Sequence, residues 1–428
     1  MASTDHEPVK RNPRVLLRNL WSSLGPGVIT GAADDDPSGI ATYSVAGAQL
    51  GTAFLWTSVI TWPLMAAVQS MCARIGMVTG HGLASTFRTK FPRSVLVGVA
   101  GSLMLANTIN IGADLTGMGD AMELLTQLNS HLWVIAFGLF IAWATIRLRY
   151  IALANYLKWL ALVLFAYVIT AIRLDPDWGS VARATLIPTL PQGRAAWATL
   201  VAILGTTISP YLFFWQASEE VEEEKSMGRH TLVERRGATP VEILNRKIDI
   251  GVGTFFSNVV MFFITLTTAL TLHVHGITAP QTSKDVALAL RPLAGRFASL
   301  LYAMGLVGTG LLAIPTLAGS AAYALAETFH WREGIDERFP RARRFYVVLA
   351  VSILAGMGMD FANLNAVKVL YWAAVINGLL APVLLLGILI VASDRRIMRG
   401  QPSSRLGRVT VGLTTAAMFL AAVAMFVV

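Results

Sequence analysis

The chain has 428 residues, of which 55% are hydrophobic and 14% charged, and its mean hydropathy is +0.60. That balance excludes an ordinary soluble domain and points to a chain embedded largely in lipid. A single cysteine, Cys72, excludes an internal disulfide and any multi-thiolate metal site, so it is expected to be a packed small residue.

Apolar runs of roughly 20 residues fall at 24–49, 51–72, 95–125, 131–147, 151–172, 195–218, 248–274, 294–327, 345–359, 363–393 and 407–428. Long, unalternated runs mean helices rather than a barrel, because a lipid-facing backbone must satisfy its own hydrogen bonds. The expected fold is all-α and polytopic, with about eleven transmembrane helices in one membrane domain over 24–428. The overlong runs 95–125 and 294–327 are expected to tilt or project from the bilayer. Residues 1–23 form a polar, basic segment with no cleavage site after it, so no removable signal is expected.

The net charge of +9 follows topology rather than a nucleic-acid partner. With the N-terminus in the cytoplasm, 26 of the 34 Lys and Arg fall in inside segments and 6 in outside ones; Lys158 and Lys368 lie within or at the edge of spans. This asymmetry predicts an inner (plasma) membrane protein with a cytoplasmic N-terminus and, after eleven spans, a C-terminus outside.

The first span places Asp34, Asp35, Asp36 and Pro37 between Gly31 and Gly39. Each carboxylate costs about 2.5–3.5 kcal/mol at a helix centre, so an acid at that depth implies function. Pro37 lacks an N–H and the glycines permit unwinding, which frees carbonyls such as that of Ala33. A plain loop over 31–39 with solvated acids is the bland alternative, and it would leave 24–33 too short to span. In the sixth span, Gly205, Thr206, Thr207, Ser209 and Pro210 interrupt an apolar stretch in the same manner. Two interrupted spans five apart suit an inverted 5+5 repeat, with repeat one over about 24–172, repeat two over about 195–393 and an extra helix at 407–428.

Asn107, Asn110, Asn258 and Asn377 are expected mainly as interhelical hydrogen-bonding groups. Asp114, a second intramembrane acid, is expected on an ion or proton pathway. The run Glu219, Glu220, Glu222, Glu223 and Glu224 reads as a solvated helix end, or alternatively as a vestibule that concentrates cations. Phe213, Phe214 and Trp215 read as packing residues.

These residues carry a family resemblance. GPGVITGAADDDPSGIATYSVAGAQLG resembles the first helix of the NRAMP divalent-metal transporters, whose signature there is Asp-Pro-Gly-Asn. MCARIGMVTGHGLA (71–84) resembles that family's loop after helix 2, ADLTGMGDA (113–121) its third helix and LAGSAAYALAE (317–327) its eighth. The resemblance implies the inverted-repeat fold shared with sodium-coupled amino-acid symporters, helices 1 and 6 being broken. Asp36 matches the family's key aspartate, and the carbonyls of Ala33 and Thr206 match its backbone ligands. The signature Asn falls on Gly39, the helix 6 Met-Pro-His on Ser209-Pro210-Tyr211, and the helix 10 Gln on Asn377.

Losing the thioether leaves oxygen donors only, and Gly39 adds room, which together suit Mg²⁺ or Mn²⁺. The pattern resembles the NRAMP-related magnesium branch, making Mg²⁺ the leading expected substrate, with Mn²⁺ next and Fe²⁺ third. Members usually carry an acid three residues after Asp114 and a histidine on helix 6; here Gly117 and Tyr211 stand there, so weak or absent proton coupling is expected. Asp34 and Asp35 are expected as outer-layer or pathway acids, able to supply a rewired proton route. The standard proton-coupled Mn²⁺/Fe²⁺ symporter is the alternative.

Three rivals differ in class. An organic-solute symporter would hold a carboxylate at exposed helix N-termini, which three clustered acids oppose. A membrane enzyme lacks support: the sequence has no His-rich ligand set, no His-Glu-x-x-His and no Gly-x-Ser-x-Gly. A channel would show flux beyond a conformational cycle. No cofactor and no obligate protein partner are expected, only the divalent ion and the bilayer.

Overall fold

The structure is a computed structural model that describes residues 30–31, 33–148, 160–190, 192–335, 337–362 and 365–428. The basic segment 1–23, the start of the first span and residues 149–159 of the fifth, Lys158 included, lie outside the described residues.

Among the described residues the secondary structure is helical throughout, in sixteen α-helices with short 3₁₀ and π turns. In chain order, α1 is Pro37–Leu50, α2 Leu55–Thr79, α3 Leu83–Phe87, α4 Arg93–Thr126, α5 Ser130–Arg147, α6 Phe165–Arg173 and α7 Trp178–Leu186. The second half runs α8 Gly193–Thr207, α9 Pro210–Ser226, α10 Pro240–Thr268, α11 Ser283–Ala287, α12 Arg291–Ala294, α13 Ala298–Phe329, α14 Arg343–Met359, α15 Ala366–Ser393 and α16 Arg405–Val427.

Nine stretches of described chain are long and apolar enough to cross a membrane. One of them, Pro37–Thr79, takes in two expected spans, and the shorter Leu162–Arg173 is the described part of the fifth, which accounts for the eleven. The expected overlong helices are present, α4 with 34 residues and α13 with 32.

Two layers result. The broken-helix layer joins α1, α2, α8, α9 and α10, while α4 packs on α13, α14 and α5 as a second layer, and α15 touches both. Close approach requires glycine at the joins. A Cβ on Gly31 would stand 2.5 Å from the Gly253 backbone, and one on Gly205 2.1 Å from the Ala374 carbonyl oxygen.

Segments rich in Lys and Arg meet on one face. Lys90 pairs with Asp394 at 2.9 Å, and Arg88 reaches the Glu327 carbonyl at 3.3 Å. Burial, together with Arg236, Arg235, Arg88 and Arg399 nearby, holds the His81 imidazole below its ordinary pKa.

One expectation is corrected here. The acidic run is not a solvated helix end: Glu219, Glu220, Glu222 and Glu224 are buried within α9. Cations meet several of them: Lys225 pairs with Glu222 at 2.8 Å and Arg229 with Glu224 at 3.6 Å, while α10, beginning earlier than its apolar run, brings in Arg246. Its Nε donates to Glu220 at 2.8 Å, its Nη1 to Asp249 at 2.6 Å, and its Nη2 pairs with Glu223. The neighbouring Phe213, Phe214 and Trp215 are packed in the core, and Cys72 is buried as expected.

Candidate functional site

Both predicted breaks are present. Residues 30, 31, 33 and 34 are helical, Asp35 bends, and Asp36 is extended at φ −69°, ψ 169° before α1 begins at Pro37. In the sixth span α8 stops at Thr207, Ile208 and Ser209 are non-helical, and α9 starts at Pro210. In each case a proline at the first helical position lacks the N–H that would reach four residues back. The carbonyls so released are those of Ala33 and Thr206.

Neither carbonyl is left bare. The Tyr211 hydroxyl donates to the Ala33 oxygen at 2.9 Å, and the Ser209 hydroxyl donates to the Thr206 oxygen at 2.6 Å while lying 2.9 Å from that of Gly205. Buried backbone acceptors must find partners, and these two hydroxyls stand where the backbone N–H groups are missing. Tyr211 is itself fixed by Ser320, whose hydroxyl donates to its carbonyl at 2.8 Å.

Asp36 caps α1. Its Oδ1 accepts from the Gly39 N–H at 2.7 Å and the Ser38 hydroxyl at 2.9 Å, and its Oδ2 accepts from the Asn110 amide of α4 at 3.0 Å. Gly39 faces the other break, since a Cβ there would lie 3.2 Å from Thr206 Oγ1 and 3.4 Å from Asp36 Oδ1. Asp36, Gly39, Ala33, Thr206, Ser209 and Tyr211 are thus one connected group between α1, α8 and α9.

The other predicted residues stand around it. Asp114 is fully buried on α4 with neither oxygen in a well-formed hydrogen bond, its electrostatic neighbours being Asp36 and the Ser38 amide. Asp34 and Asp35 share the Ser257 hydroxyl of α10, at 2.7 and 3.1 Å, and Asp34 Oδ1 has no hydrogen-bond partner among the described residues. Asn377 is buried on α15 with its Oδ1 unpartnered among the described residues. The adjacent Gly378 packs on Val201 and Gly205 of α8, but no hydrogen bond among the described residues joins Asn377 to the Asp36 group. Gly117 packs against Leu370 and Leu306, well suited to a residue with no side chain to titrate.

Two participants were not singled out from sequence. Asn110, expected mainly as an interhelical hydrogen-bonding group, lies one helical turn before Asp114, a spacing that shares its face. Ser257 carries no local signal, as it approaches Asp34 from 223 residues away.

The electrostatics define what this group can accommodate. Asp34, Asp35, Asp36 and Asp114 are all buried, and among the described residues no Lys, Arg or His forms an ion pair with any of them. Uncompensated carboxylates in a low-dielectric interior call for a cation or protons. Every candidate metal ligand in this group is an oxygen atom; sulfur is absent from it.

Comparison with known proteins follows the same lines. Proteins named divalent metal cation transporter MntH are similar in sequence: that of Yersinia pestis (strain Pestoides F) is 25% identical over 420 residues, 91% of each chain. That of Pectobacterium carotovorum subsp. carotovorum (strain PC1) is 25% identical over 369 residues, covering 80% of this chain and 81% of the relative. The crystal structure of the Eremococcus coleocola manganese transporter bound to an aromatic bis-isothiourea compound superposes with a TM-score of 0.76 at 18% identity, over 98% of this chain and 87% of that one. Mhp1, a nucleobase-cation-symport-1 family transporter in a closed conformation, superposes with a TM-score of 0.57 at 16% identity, over 94% and 90%. The inverted-repeat, broken-helix fold expected from sequence is therefore the fold of this chain. Residues 27–428 match the model of the Nramp family, described as natural resistance-associated macrophage protein-like, and the chain belongs to that family.

Proposed function

We propose that the chain is a membrane transporter, not an enzyme, that carries a divalent metal cation across the bilayer by alternating access, with Mg²⁺ as the leading substrate. The observation that carries this is the set of four buried carboxylates, Asp34, Asp35, Asp36 and Asp114, without a counter-cation among the described residues. Relatives named divalent metal cation transporters support the class of cargo.

In this proposal Asp36 supplies formal charge, Ala33 and Thr206 supply carbonyls, and Ser209 and Asn377 supply side-chain oxygens directly or through water. Gly39 leaves room for a hydrated ion. A donor set of oxygen alone favours ions that take hard ligands, and Mg²⁺ keeps several of its waters. Asp34, Asp35 and Ser257 line the approach, and proton coupling is weak because Gly117 and Tyr211 stand where proton carriers are usual. The metal is substrate rather than cofactor, and no nucleic acid or obligate protein partner enters.

The bundle that contains the broken helices rocks against the rest of the chain, exposing a midplane site first outside and then inside; repeat one (about 24–172) and repeat two (about 195–393) each contribute to it, with 407–428 as an addition. The excess of Lys and Arg in the expected inside segments supports a cytoplasmic basic face and N-terminus, with the C-terminus outside. A second reading, proton-coupled Mn²⁺ uptake, is favoured by one observation: one of the structures with this fold is named a manganese transporter.

Uptake into proteoliposomes of purified protein, with Mg²⁺ and Mn²⁺ compared over an internal pH dye, tests both. Mg²⁺ entry without acidification, abolished by Asp36→Ala, is the expected result. Mn²⁺ entry alone, accompanied by acidification, establishes the second reading and refutes the first.

A further inference from the structure

Away from the broken helices, a cavity of about 330 Å³ opens where α2, the start of α10 and the start of α16 meet on the basic face. Its lining changes along α2, from Pro63, Ala66 and Ala67 to Arg74, and Lys247, Ser403, Ser404 and Leu406 complete it.

The polar end is built rather than incidental. Arg74 donates its Nε–H to the Gln401 carbonyl at 3.1 Å, which holds the guanidinium in place and leaves its terminal nitrogens for a ligand. Gln401 is clamped in turn by the Ala238 backbone, accepting from its N–H and donating to its carbonyl, both at 3.2 Å. Ser403 is 5% exposed and lines the cavity, and its Oγ is buried without a hydrogen-bond partner among the described residues. Ser404 caps α16, a helix of 23 residues whose unsatisfied first-turn N–H groups present positive potential at the same end.

We propose that this cavity is a binding site for the phosphate headgroup of an anionic phospholipid, seated at the bilayer edge with its acyl chain along the apolar wall. Two cations, an unpartnered buried hydroxyl and a helix N-terminus together match a phosphodiester, and none of them matches a zwitterionic headgroup's cationic end. The apolar wall commits the site to a lipid rather than to free phosphate, because a soluble anion gains nothing from Pro63, Ala66, Ala67 and Leu406. Basic pockets between transmembrane helices recognise anionic headgroups by the same chemistry. The site joins α16 to α2 and α10, so an occupant cross-braces the last helix to the broken-helix layer.

The test uses the full-length protein, purified and delipidated in detergent, titrated with phosphatidylglycerol, phosphatidylcholine or inorganic phosphate and read by native mass spectrometry and melting midpoint. Phosphatidylglycerol alone is expected to be retained and to raise the midpoint. In the Arg74→Gln, Lys247→Gln double variant its affinity is expected to fall roughly 30-fold, the effect of losing two basic contacts near an anionic leaflet. Ala66→Phe, which narrows the apolar wall and keeps both cations, is expected to lose lipid retention as well; it decides the matter if the double variant does not fold. Equal retention of phosphatidylcholine, saturation by inorganic phosphate alone, or unchanged phosphatidylglycerol binding in the folded variants each overturns the proposal.

Discussion

Tyr211→Phe removes one oxygen atom and leaves the ring packed where it is. In the conformation described, that oxygen is the partner of the Ala33 carbonyl, which Pro37 has already deprived of its helical N–H. Leaving a buried acceptor unsatisfied costs about 1–3 kcal/mol. Under the proposed site assignment a bound cation satisfies the same carbonyl, so the cost falls on the metal-free protein and not on the metal-bound one. A difference of about 1–3 kcal/mol corresponds to about 5- to 150-fold in affinity. The variant should therefore melt at a lower temperature without metal and bind its divalent ion more tightly. Isothermal titration calorimetry with Mg²⁺ and Mn²⁺, beside thermal melting with and without each ion, measures both effects. A variant with unchanged or weakened affinity for both ions refutes the reasoning, because the Tyr211 hydroxyl would then not be competing with the metal for Ala33.

Gly205→Ala places a Cβ 2.1 Å from the Ala374 oxygen and 2.2 Å from the Gly378 nitrogen, both backbone atoms that cannot swing aside. Overpacking of about 1–3 kcal/mol or more should reduce the monodisperse fraction on size exclusion, whereas Gly98→Ala, with open space around it, should behave like the parent. Arg246→Ala strips Glu220, Glu223 and Asp249 of their shared cation and should destabilise the fold by about 3–5 kcal/mol. Thermal melting checks this, with Arg246→Lys expected to recover part of the loss; an unchanged melting midpoint in the alanine variant would show the cluster to be solvated instead.

The parts of this molecule legible in sequence are those with a local physical cause. Pro37 and Pro210 announce the two breaks, since a proline in an apolar span removes a specific hydrogen bond wherever the rest of the chain goes. Asp36 and Asp114 announce themselves by their cost in lipid. What stayed hidden depends on partners remote in sequence: Ser257 is an ordinary helical serine until α10 lies against Asp34, and the glutamates of α9 look solvated until Arg246 arrives from the next helix. Asn110 sits between these cases, its spacing to Asp114 visible and its bond to Asp36 not. The sequence likewise says nothing of the hydroxyls that cover the two freed carbonyls, because that pairing arises only when the broken helices face each other.

Those covered carbonyls bear on the return leg of a transport cycle. A carrier whose cavity is costly without cargo can reorient only when loaded, and it then performs one-for-one exchange. Here Tyr211 and Ser209 occupy the vacated backbone acceptors, so the two freed carbonyls do not oppose the return of an unloaded protein, and what that leg must still neutralise is the charge of the four buried carboxylates. Under the proposed function, the return leg is therefore set by the charge of those carboxylates rather than by bare backbone acceptors, and weakly coupled uptake runs down the electrochemical gradient of the ion.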